Sequence, residues 1–131
     1  MTNLPPALAV IDGTLCHLTR EGARVVTHTP LATAVVEFRH GPLCVYVREH
    51  PYGLLPGIPN LYCLDAALRL QWIAEWHDPA DPCVKIVSDE GAALLVEGAA
   101  LLVEAASGAL VRLDAHTGRL LEATVPMAVA S

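Results

Sequence analysis

The chain has 131 residues, 53% of them hydrophobic and 17% charged, with 14 acidic residues against 8 basic ones and a net charge of −6. A chain this apolar and this long can bury a core of its own, which excludes an intrinsically disordered segment. Its seven scattered arginines and one lysine, Lys85, form no basic run, and this speaks against a nucleic-acid partner or an anionic membrane surface.

At the N-terminus, Met1 to Pro6 offers neither a positive start nor an apolar stretch, so no secretory signal is expected. No window reaches the roughly 18 consecutive apolar residues of a membrane span. The longest candidate, from Ala92 to Ala106, is interrupted by Glu97, Gly98 and Glu104. A cytoplasmic protein is expected, with Cys16, Cys44, Cys63 and Cys83 as free thiols.

Going along the chain, three segments resemble one another. The first runs Thr14-Leu-Cys-His-Leu-Thr-Arg-Glu-Gly-Ala-Arg-Val-Val26, the second from Asn60 to Trp72, the third from Ala109 to Glu122. The anchors Leu15, Leu61 and Leu110 lie 46 and 49 residues apart, and so do Leu18, Leu64 and Leu113. That spacing matches a repeat of four short strands. Upstream of the second copy stand Ala34 to Gly41 and Leu43 to Val47; upstream of the third stand Ala92 to Gly98 and Ala100 to Glu104. Each pair reads as strand, glycine turn, strand.

Alternation supports strands: Ala34, Val36 and Phe38 share one face, and Leu70, Trp72, Ala74 and Trp76 share another. Asp12-Gly13, Glu21-Gly22, Ser107-Gly108 and Thr117-Gly118 mark turns, as does Ser88-Asp89-Glu90-Gly91. The doubled Gly-Ala-Ala-Leu-Leu-Val-Glu of 91–104 suits a strand hairpin, with a helix as the alternative. The expectation is an all-β chain of about twelve short antiparallel strands in three units, near 7–32, 33–82 and 83–126. These form a partial propeller, or a sandwich or irregular barrel if the units fold over.

At Asp114-Ala-His-Thr-Gly-Arg-Leu-Leu121, and at Leu64-Asp-Ala-Ala-Leu-Arg-Leu-Gln-Trp72, the sequence resembles the quinoprotein-type (PQQ-like) β-propeller repeat. The resemblance implies that Asp65 and Asp114 cap turns, that Gly118 makes one and that Trp72 docks neighbouring blades. Glu122 stands at the tryptophan position of the last copy, and Thr19 replaces the aspartate of the first. The repeat implies no quinone here, and no cofactor is expected. Three units leave open sheet edges, so a homodimer or other homo-oligomer is expected, one form being a six-blade ring.

Catalytic and metal motifs are missing from the sequence. Cys16-His17 are adjacent, and neighbours on a strand point to opposite faces. None of Ser88, Ser107 and Ser131 lies in a nucleophile motif. The best functional candidate is the loop His50 to Asn60, with Tyr52, Leu54, Leu55 and Ile58 stiffened by Pro51, Pro56 and Pro59. Those apolar groups cover either the protein's own sheet or a partner or ligand. Trp76 and His77 of a second loop are expected nearby. A non-catalytic protein-interaction module is therefore expected. The rivals are a small-molecule binder with Tyr52, Trp72, Trp76 and His77 at the mouth of a cleft, and an enzyme whose site is assembled from loops.

Overall fold

Short apolar runs between tight turns can satisfy their backbone only by pairing with the next run. A computed structural model describes residues 7–41, 44–51, 59–90 and 100–124, and these residues contain strands and turns but no helix. The strands are β1 (Ala7–Ile11), β2 (Thr14–Leu18), β3 (Arg24–His28), β4 (Val35–His40), β5 (Val45–Glu49) and β6 (Leu61–Leu64). They continue with β7 (Leu70–Ile73), β8 (Cys83–Glu90), β9 (Ala100–Ala105), β10 (Leu110–Asp114) and β11 (Leu120–Thr124). All pairings are antiparallel and join consecutive strands, giving three blade-like meanders: β1-β2-β3, β4-β5-β6-β7 and β8-β9-β10-β11.

The anchor leucines put β2, β6 and β10 at equivalent positions. It follows that β1 corresponds to β5 and β9, and that the first sheet has no counterpart of β4 and β8 among the described residues. The first strand of the expected hairpin, Ala92 to Gly98, lies outside the described residues. Both edges of β9 are taken, by β8 and β10, so no third strand can join it. Ser88 to Glu90, read as a turn, lies within β8. Residues 91–99 fall outside the described residues, and Ala100 to Glu104 of the doubled motif lie in β9.

The middle sheet is buried on both faces. Tyr46, Leu61, Cys63 and Trp72 pack with Ile86, Leu101, Val103, Val111 and Leu113 of the third sheet. Val45, Val47, Tyr62 and Leu64, on the opposite face, pack with Leu15 of the first sheet. This accounts for the unbroken apolar runs Val45-Tyr-Val47 and Leu61-Tyr-Cys-Leu64.

Two alternation readings are corrected by bulges. The register shifts between Val35 and Glu37, so Val35 is buried, Phe38 packs beside it and Val36 is exposed. A second shift between Cys63 and Leu64 leaves Leu70 exposed although Trp72 and Ala74 are buried. An extra residue turns the following side chains to the other face.

The three equivalent turns differ instructively. Gly22, Leu68 and Gly118 each stand two residues before the outer strand, and all have positive φ. Asp65 and Asp114 accept backbone N–H bonds across their turns, and Thr19 does so with its hydroxyl. Leu68, in the left-handed region at φ 63°, places its side chain in the cluster between the first two sheets, and that burial offsets the strain. At Gly118 (φ 74°) a Cβ would lie 2.3 Å from Cε3 of Trp72, so the indole rests directly on glycine backbone.

Gly118→Ala therefore combines backbone strain with overpacking, and is expected to cost about 2–4 kcal/mol. Urea unfolding followed by Trp fluorescence measures it, and an unchanged midpoint would show that Trp72 moves aside freely.

Candidate functional site

Residues 74–82 carry the chain from the second sheet to the third. Asp81, with a side chain 12% exposed, organises this loop. Its Oδ1 accepts the backbone N–H of Ser107 (2.7 Å), and its Oδ2 accepts the Ser107 hydroxyl (2.6 Å) and faces His77 Nε2 (2.9 Å). Trp76 Nε1 donates to the Asp81 carbonyl at 2.7 Å. Burial would raise the pKa of Asp81, but the bonds from Ser107 and His77 outweigh it and hold the carboxyl below its ordinary value.

These residues border an open hollow of about 520 Å³ lined by His77, Asp78, Ala80, Asp81, Ala106 and Ser107. With Nε2 turned to the carboxylate, His77 Nδ1 is buried without a partner. Serine, histidine and aspartate meet here, but in an order that does not make a nucleophile. Ser107 gives its proton to Asp81, to the same oxygen that His77 bonds, so the imidazole is not placed to accept it.

Trp76 and His77 thus come together, with ring centroids 5.0 Å apart. Trp76 packs on the core between the second and third sheets, and its N–H is spent within its own loop. Trp72, expected at the mouth of a cleft, is 9% exposed and lies under Gly118, away from the hollow. Tyr52, Leu54, Leu55 and Ile58 lie outside the described residues. Among the repeat residues, Leu15 and Leu61 are core, Asp65 and Asp114 hold turns, and Leu110 is exposed at 42%.

Sequence reasoning missed a second polar constellation, between the first two sheets. Glu49 is 1% exposed and accepts the N–H groups of Leu31 (2.7 Å), Ala32 and Thr33 (2.9 Å each) and the Tyr62 hydroxyl (2.5 Å). Since Tyr62 donates to Glu49, its oxygen receives the Nε2–H of His28 at 2.7 Å. Burial raises the Tyr62 pKa far above its ordinary value, with the Glu49 carboxylate adding to it. Burial would also raise Glu49, but the bonds from Thr33, Tyr62, Leu31 and Ala32 bring it below the usual carboxylate range. His28 is lowered by burial against the opposing pull of Glu49.

Asn60 sutures the other seam. Its amide donates to the carbonyls of Glu49 and Cys83 (2.7 Å each), and its oxygen accepts the Cys83 N–H at 3.0 Å. Glu37 likewise accepts from Arg48 (2.7 Å) and from the Ile86 N–H (3.1 Å). The one signal available in the sequence was a carboxylate or amide standing beside an apolar run, at Val-Arg-Glu49 and Pro-Asn60.

All four cysteines are free thiols. Burial pushes the Cys83 thiol up to about 12, and Cys63 is raised by its bond to Cys44 and by burial, so neither supplies a thiolate near neutral pH. Among the described residues no three His, Cys, Asp or Glu side chains are placed to share a metal ion, and no helix is long and apolar enough to cross a membrane. Comparison with protein-family models, curated proteins and solved structures finds no match to this chain.

Acidification tests the His28–Tyr62–Glu49 chain. Both depressed pKa values mean that the unfolded chain binds protons first. Stability is complete above the ordinary histidine value of 6.5, falls as pH drops below it, and falls again below the ordinary Glu49 value of 4.5. Denaturant midpoints across pH 4–8 should show the upper step in the wild type and lose it in His28→Gln; a step that survives the substitution belongs to another group.

Proposed function

We propose that this chain is a non-catalytic interaction module of propeller-like repeats that works in the cytoplasm and associates with itself. The observation that carries this reading is the free edge of β1. Each of the other edge strands (β3, β4, β7, β8 and β11) carries a polar side chain and a bulged pairing. β1, Ala-Leu-Ala-Val-Ile, carries no polar side chain and pairs with β2 without a register shift. It stands at the place of the interior strands β5 and β9, yet among the described residues it pairs on one side only. Natural edges are protected against pairing, and among the described residues nothing protects this one.

Exposed apolar side chains on the outer strands point the same way: Val25 and Val26 on β3, Leu70 and Ile73 on β7, and Leu121 on β11. The Ser107–Asp81–His77 wiring supports a role without catalysis. The likeness to the quinoprotein-type repeat enters as architecture, supported by the three meanders and by Trp72 seated on Gly118.

Light scattering over a dilution series should give twice the chain mass of 13.9 kDa; a mass of one chain at every concentration overturns self-association.

The hollow at His77 favours a second reading, a small polar ligand held among His77, Asp78 and Ser107. A compound bound there should raise the melting temperature of the wild type but not of Ala106→Trp, which fills the hollow. Equal shifts in both place the compound elsewhere.

A further inference from the structure

We propose that two copies of this chain close a ring by seating β11 of each on the β2–β3 turn of the other, with Glu122 beside Arg24. The proposal rests on the self-association reading and names its surface. The registers Leu18↔Arg24, Leu64↔Leu70 and Leu113↔Leu120 occupy matching places in the three sheets. Trp72, two residues beyond Leu70, therefore corresponds to Val26 in β3 and Glu122 in β11. The left-handed residues Gly22, Leu68 and Gly118 correspond likewise.

At the seam between the second and third sheets, the residue two beyond the start of the outer strand sits on the left-handed residue of the next sheet: Trp72 rests on Gly118. Glu75 ties the same seam, its N–H donating to the Gly118 carbonyl and its carboxylate accepting the Leu120 N–H. At the first seam the socket is filled from within, by the side chain of Leu68 in the cluster it shares with Leu15, and Val26 at the plug position stays 38% exposed.

Gly22 is an open socket and Glu122 an unseated plug. A Cβ on Gly22 would meet nothing within 4 Å, and Glu122 is exposed. Their chemistry is complementary. The plug that replaces tryptophan is an acid, while the open socket is flanked by exposed Arg20 and Arg24, with Glu21 as the one acid on the turn. Every sheet relates to the next in the same sense, so the third sheet of one copy meets the first sheet of the other, and two contacts complete a six-sheet ring. A ring of six blades is within the range that closes.

The test is charge reversal read by light scattering at low ionic strength, with circular dichroism confirming folding. Glu122→Arg and Arg24→Glu should each raise the dimer dissociation constant about a hundredfold, since both contacts then oppose like charges. The two together restore pairing, and Val36→Lys, away from the contact, changes nothing. Single variants that stay dimeric while the wild type is dimeric overturn this surface and leave self-association standing. A wild-type monomer removes both. Failure of the folded double variant to recover overturns the Glu122–Arg24 pairing, and a mass that grows without limit with concentration overturns ring closure.

Discussion

A four-stranded antiparallel sheet of short strands cannot keep both faces wet and stay folded; at least one face must lie on another apolar surface. In this chain the only surfaces available among the described residues are other sheets of the same kind, and the middle sheet meets the requirement twice. Tyr46, Cys63 and Trp72 face the third sheet, while Val45, Val47 and Tyr62 face the first. Everything else in the structure arranges how these sheets approach. Among the described residues the end sheets have one neighbour each, and apolar side chains such as Val25 on β3 and Leu121 on β11 stay exposed on their outer strands.

Apolar faces slide over one another, and the seams are held in place by polar groups. Glu49, at the end of β5, gathers three consecutive backbone N–H groups and the Tyr62 hydroxyl at one seam. Asn60, at the start of β6, joins two carbonyls and one N–H at the other. A carboxylate buried at 1% exposure is costly unless its lone pairs are filled. Filled by bonds with fixed directions, it admits one approach of the sheets. The same logic governs Asp81, whose carboxylate ties the loop after β7 to the turn after β9 and leaves Ser107 without a base.

The three corresponding turns meet one backbone requirement with different residues. Where a left-handed residue is needed, glycine stands twice and leucine once, and Leu68 offsets its strain by filling the core that glycine would leave empty. Where tryptophan docks once, glutamate stands at the end of the chain's last sheet, a position with no neighbouring sheet among the described residues. A side chain suited to water or to a charged partner fits that place.

Periodicity alone determined the strand character and the turns at Gly13, Gly22, Gly108 and Gly118, because leucines at 46- and 49-residue intervals and glycines between apolar runs express local backbone requirements. It did not show that β8 runs on through Ser88, Asp89 and Glu90, which read as a turn, since an edge strand needs backbone pairing more than an apolar pattern. Nor did it show that Val36 and Leu70 face water, because a bulge reverses alternation without altering composition. The roles of Glu49, Asn60 and Asp81 were decided by tertiary structure alone. A polar side chain becomes a suture only when strands distant in sequence bring unpaired backbone groups to it, and no local pattern records where those groups will stand.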